Sequence, residues 1–231
     1  AGPYVADSLI TLEESTAVVS GEDETRRSGF NVFSYVMAGS LMIGLLFTSN
    51  IMLRDIVREK ESGTMARILS SPTGTAQVVG GKLLAAYVLT ILACLLLLLV
   101  GRLVFSMNLG GPGVLAVHIV ATMLMTTGTM TFCFGIMKNE RAADAVVSVL
   151  IIVMALLGGS MLPLDNMGPA LQKIARISPV YWANTGFRAI FLEGAGIADI
   201  AFNILILCGV GLVTLVPGIY FLGRGIRKGG S

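Results

Sequence analysis

"LVFSMNLGGPGVLAVHIVATMLMTTGTMTFCFGIM", residues 103–137, runs for 35 residues without a single charge. A helix crosses the hydrocarbon core of a bilayer in roughly 20 mostly apolar residues, so this run is too long for one span. "NLGGPG" at 108–113 breaks it, because clustered glycine and proline punctuate a helix, and leaves a span over 114–137. Outward from there, 28–53, 83–101, 145–164 and 200–223 are equally free of charge. The expectation is an all-α integral membrane protein with about five transmembrane helices.

Composition agrees. The 231 residues are 55% hydrophobic and 13% charged, with a mean hydropathy of +0.83, whereas soluble domains carry about 25% charged residues. A net charge of +2 with no basic run between aromatics excludes a nucleic-acid partner. Cys94, Cys133 and Cys208 all fall inside the apolar runs. Thiols there read as small apolar groups, and their spacing fits neither a metal site nor a disulfide framework.

Lysine and arginine accumulate on the cytoplasmic side of membrane proteins. With five spans and Ala1 outside, ten basic residues face the cytoplasm: Arg54, Arg58, Lys60, Arg67, Lys82, Lys138, Arg141, Arg224, Arg227 and Lys228. The other six are Arg26, Arg27, Arg102, Lys173, Arg176 and Arg188. A multi-pass protein of the cell membrane with a cytoplasmic C-terminus is expected. Residues 1–29 hold six of the fourteen acids and read as the end of an extracytoplasmic region or a disordered tail. Residues 30–231 form the transmembrane domain.

Two connections carry more pattern than a solvated loop needs. Outside, "PLDNMGPALQKIARISP" (163–179) offers Asp165 or Asn166 as an N-cap, Pro169 near the first turn and Pro179 as a stop. Leu171, Ile174 and Ile177 share one face, as an interfacial amphipathic helix would. "VYWANTGFRAIFLEG" follows, giving either interfacial anchoring through Tyr181 and Trp182 or a re-entrant hairpin covered by protein. Inside, "RDIVREKE" (54–61) continues the first span as a charged helix, and Gly63 supplies an end or bend. Thr64 caps "MARILSS", whose Met65, Ile68 and Leu69 lie at i, i+3 and i+4. Pro72 closes it.

Glu59-x-Glu61-x-Gly63-Thr64, Arg67-x-Leu69, Ser71-Pro72 and Gly81-Lys82-Leu83 together resemble the ABC-2 type permeases of ABC transporters. A second resemblance lies at 157–194, with Pro163, Ser178, Pro179, Tyr181, Arg188 and Gly194 at the positions of that family's outer signature. The resemblance implies that 54–72 is a coupling helix seated in a groove of a separate ATPase subunit. It implies further a second permease copy, ATP and Mg used by the partner ATPase, and an exporter working by alternating access. Family members generally have six spans, so this chain resembles one lacking the first. The substrate path in such permeases lies between the copies, which nominates Phe33, Met37, Ser40, Gly44 and Phe47 on the first span and Met154, Leu157 and Met161 on the fourth.

Enzymatic readings find little footing. The phosphate loop G-x-x-x-x-G-K-[ST] is missed by "GTAQVVGGKL", which has Ala76 and Leu83 where Gly and Ser or Thr are required. His118 is the single histidine, so H-E-x-x-H is absent, and no serine sits in G-x-S-x-G. No filter sequence or charge ring marks a channel. This chain is expected to bind no cofactor of its own. The competing class is an integral membrane enzyme or assembly factor without an ATPase, which co-purification separates from a permease. Thr122, Thr126, Thr129 and Cys133 recur on one helical face and are read as helix-packing groups rather than a substrate-lining stripe.

Overall fold

The computed structural model describes residues 34–55, 57–59, 62, 75–105, 109–137, 140–161 and 168–228. All regular structure among them is helical. In chain order it comprises α1 (Ser34–Glu59), α2 (Thr75–Phe105), α3 (Pro112–Ile136) and α4 (Glu140–Leu157). Then come α5 (Pro169–Ala175), α6 (Pro179–Arg188), a π-helical turn (Ala189–Glu193) and α7 (Ala201–Lys228).

Helices α1, α2, α3 and α7 contain stretches long and apolar enough to cross a membrane. The fourth expected span, 145–164, is only partly helical among its described residues. Helix α4 starts at Glu140, carries Arg141 and Asp144, and stops at Leu157. The stop is held by other elements: Asn184 Nδ2 donates to the Gly158 carbonyl at 2.9 Å and Tyr35 Oη donates to the Gly159 carbonyl. Backbone groups that leave a helix inside a bundle need such partners. The break at 108–113 falls where the sequence puts it, and α3 starts with Gly111 as N-cap and Pro112 in the first turn, where proline costs no hydrogen bond. The charged continuation of the first span is helical to Glu59.

Helices α1 and α3 bury most of their side chains, whereas α2 and α7 turn most of theirs outward. Met42, Leu46, Met125, Met130, Phe134 and Ile151 anchor one core; Leu41, Cys94, Met123, Phe187 and Phe191 anchor a second, nearer the α5–α6 hairpin. Helices α3 and α7 pack closely along their length. A Cβ on Gly211 would lie 2.8 Å from Leu124, one on Gly218 2.7 Å from the Phe132 nitrogen, and one on Gly135 2.8 Å from the Gly218 carbonyl. Small residues let membrane helices approach to backbone contact, so this seam replaces side-chain interdigitation.

Candidate functional site

The hairpin at one end of the bundle is built from two unlike arms. In the first, α5, Gly168 is the N-cap and Pro169 follows at the first position, so the helix starts after Asp165 and Asn166, which lie outside the described residues. Leu171, Ile174 and Ile177 all face outward, Ile177 being 81% exposed, as an interfacial face would. The second arm, α6, is buried through Val180, Ala183, Asn184, Gly186 and Phe187. Pro179 opens α6 with Ser178 as N-cap, three residues beyond the Arg176 C-cap of α5.

Polar groups bind this second arm to the spans. Asn203 Nδ2 on α7 donates to the Trp182 carbonyl and to Thr185 Oγ1, each at 2.9 Å. Asn184 Nδ2 donates to Ser160 Oγ at 2.6 Å, and Ser178 Oγ donates to the Met154 carbonyl at 3.4 Å. His118 on α3 donates from Nε2 to the Ala183 carbonyl at 2.9 Å, meets Phe187 edge-on at 4.6 Å, and packs against Gly186. It is fully buried. Six residues separate it from Pro112, roughly 9 Å along the helix, so α6 sits below the helix ends and is covered by protein, as non-spanning segments must be. Arg188 closes the arm over the Tyr35 ring, 4.5 Å from its centroid. Gly194, at φ +65°, takes a left-handed turn open to glycine without steric cost, and its N–H returns to the Ala189 carbonyl. A cavity of about 300 Å³ beside the arms is lined by Gln172, Arg176, Tyr181, Thr185, Arg188 and Glu193.

The opposite end holds a second cluster. Arg54 donates to Asp144 Oδ2 at 3.3 Å and Asn50 Nδ2 donates to Asp144 Oδ1 at 3.4 Å, tying α1 to α4. Glu59 pairs with Lys82, tying α1 to α2. Ser49 Oγ and Thr126 Oγ1 link α1 to α3 at 3.4 Å. Of the expected coupling residues only Glu59 is described; Glu61, Gly63, Thr64, Met65, Arg67, Ile68, Leu69, Ser71 and Pro72 lie outside the described residues, as does residues 1–29.

The outer-signature residues Ser178, Pro179, Tyr181, Arg188 and Gly194 all fall on the hairpin, while Pro163 is outside the described residues. The path residues divide. Ser40, Gly44 and Phe47 share an exposed stripe of α1 with Val36 and Ile51, and Met161 is exposed beyond α4. Met37 and Met154 turn into the core, Leu157 is half-buried, and Phe33 is not described. Thr122 and Thr126 are fully buried, and the hydroxyls of Thr122, Thr126 and Thr129 return to carbonyls of their own helix. Asn184, Asn203, Asn50 and Asp144 were not legible as a set, since isolated polar residues give no spacing signal. Each lies in or beside an apolar run, which in a membrane helix is itself the pointer.

Residues 8–220 match the profile of a family described as ABC-2 family transporter protein. The chain is 23% identical over 217 residues to the linearmycin resistance permease protein LnrN of Bacillus subtilis, covering 94% of this chain and 54% of the relative. It is 26% identical over 168 residues to the probable multidrug ABC transporter permease YbhS of Escherichia coli, covering 72% of this chain and 44% of that protein. With the probable multidrug ABC transporter permease YbhR of the same organism it shares 26% over 172 residues, covering 71% and 45%. The chain thus spans about half the length of the curated relatives it matches.

Proposed function

The chain belongs to the ABC-2 family of transporter proteins, and on that footing we propose that it is the membrane-spanning part of an ABC exporter permease. It works in the cell membrane as one of two permease copies, driven by a separate ATPase subunit that binds the ATP and Mg. The observation that carries this reading is the family match over residues 8–220, which takes in α1 through most of α7.

In the proposed cycle, the hairpin end faces outside and the Arg54 end faces the ATPase. Closure of the ATPase pair on nucleotide pushes the 54–72 segment. Gly63 and Thr64 supply its bend, Met65, Ile68 and Leu69 its docking face, and Glu59, Glu61 and Arg67 its charges, with Ser71 and Pro72 closing it. Because α1 is helical to Glu59, a push at that end moves a lever, and the Arg54–Asp144 and Glu59–Lys82 pairs pass it to α4 and α2. Each ligand biases the transporter only through contacts that differ between inward-open and outward-open states.

The exposed stripe of Ser40, Gly44 and Phe47 supports placing the path against the second copy. Met161 is exposed and Leu157 half-buried, whereas the buried Met37 and Met154 would join it only if α1 and α4 turn in another state. The cargo we infer is an apolar antibiotic or drug-like compound, since the relatives are named for linearmycin resistance and multidrug transport. Co-purification of the full-length protein from its native membranes tests the partner. A stoichiometric nucleotide-binding subunit is expected; a folded permease that never associates with one overturns the reading.

A further inference from the structure

On the hairpin-end half of the bundle, α2 and α3 flank a groove of about 450 Å³. One face of α2 lines it, with Ile91, Leu95, Leu98 and Arg102 at i, i+4, i+7 and i+11. Leu115 and Ile119 of α3 form the other wall, and Gly110 and Pro112 the end near the connection. Everything along its length is apolar or small until Arg102. That guanidinium is exposed, stands three residues before the end of α2, and makes no ion pair among the described residues.

We propose that this groove is a phospholipid site, with one acyl chain along it and the lipid phosphate on Arg102. Three physical points select this occupant. The eleven helical steps from Ile91 to Arg102 rise roughly 16 Å, about half of a hydrocarbon core some 30 Å thick, which is the reach of one leaflet. An arginine at a span's end extends toward the headgroup level, where its planar fork matches a phosphate. The lining by Ile91, Leu95, Leu98, Leu115 and Ile119 is apolar over the same length, which suits a hydrocarbon chain and offers a polar one no partner. Lipid there fills a gap that the sparse α2–α3 contact leaves open and fixes the angle of α2 against the bundle.

The test uses the full-length protein in nanodiscs containing 1-palmitoyl-2-oleoyl phosphatidylglycerol, released for native mass spectrometry. One phosphatidylglycerol retained per chain is expected. Arg102→Gln should lower its retention about tenfold while Arg102→Lys keeps most of it. Ala116→Phe, which puts a ring into the groove, should lower retention to a similar degree. Equal retention in wild type, Arg102→Gln and Ala116→Phe, all eluting as folded protein, overturns the proposal. A second measurement needs no variant: phosphatidylglycerol with a diazirine on its acyl chain should label peptides holding residues 91–99 or 115–120 in the wild type. Labelling confined to other helices overturns it as well.

Discussion

Gly186 has no room for a side chain, because a Cβ there would lie 2.2 Å from Cε1 of the His118 imidazole. The ring meanwhile donates to the Ala183 carbonyl one turn earlier and meets Phe187 on the next residue. One histidine thus touches α6 at Ala183, Gly186 and Phe187, which accounts for its burial. Adding a methyl at Gly186 forces the ring or the helix to move. Gly186→Ala should therefore cost about 1–3 kcal/mol, read as a lower unfolding temperature in detergent. His118→Ala in that background should recover part of the loss, since it removes the clashing atoms. A Gly186→Ala protein as stable as wild type would show that the contact is slack.

Among elements, the α3–α7 seam makes the sharpest forecast. Gly211 sits against Leu124, while Gly209, two residues earlier on the same helix, has nothing within 4 Å of its Cβ position. Gly211→Val should cost about 1–3 kcal/mol as an overpacked contact and reduce the monodisperse fraction on gel filtration. Gly209→Val should stay within about 0.5 kcal/mol of wild type, as substitutions away from packed sites do. The Arg54–Asp144 pair, with each side chain about one-third exposed at 33% and 36%, calls for a smaller number. Losing one partner should cost on the order of 1 kcal/mol or less, and the Arg54→Asp, Asp144→Arg exchange should restore more than the sum of the single changes. Additive losses would show the two groups to be uncoupled.

These elements also mark where sequence reading stops. The spans follow from charge-free runs, and the break at 108–113 from its glycines and proline, because a bilayer imposes a length and a backbone rule on the chain. The glycine seam was present as Gly128, Gly135, Gly211 and Gly218, but spacing within a helix does not tell which other helix it meets. The path residues show the same limit. Ser40, Gly44 and Phe47 face out and Met37 faces in, a phase within α1 that a uniformly apolar helix does not reveal. The fourth span ends early because Asn184 and Tyr35, distant in sequence, hold the carbonyls at its end.

At the scale of the whole molecule, the described residues place a buried, hydrogen-bonded hairpin at one end and two ion pairs at the other, joined by four long apolar helices and the shorter α4. In the proposed cycle this body passes on a displacement that a separate ATPase generates. The account therefore stands or falls on the 54–72 segment engaging an ATPase. The direct measurement is made on the complete transporter, full-length permease with its ATPase, reconstituted in proteoliposomes with Glu61→Ala and Gly63→Pro introduced together. The prediction is that ATP-driven cargo transport falls about tenfold or more and the ATPase no longer co-purifies, while the permease still elutes as folded protein. Unchanged ATPase binding and unchanged transport in that variant would contradict it.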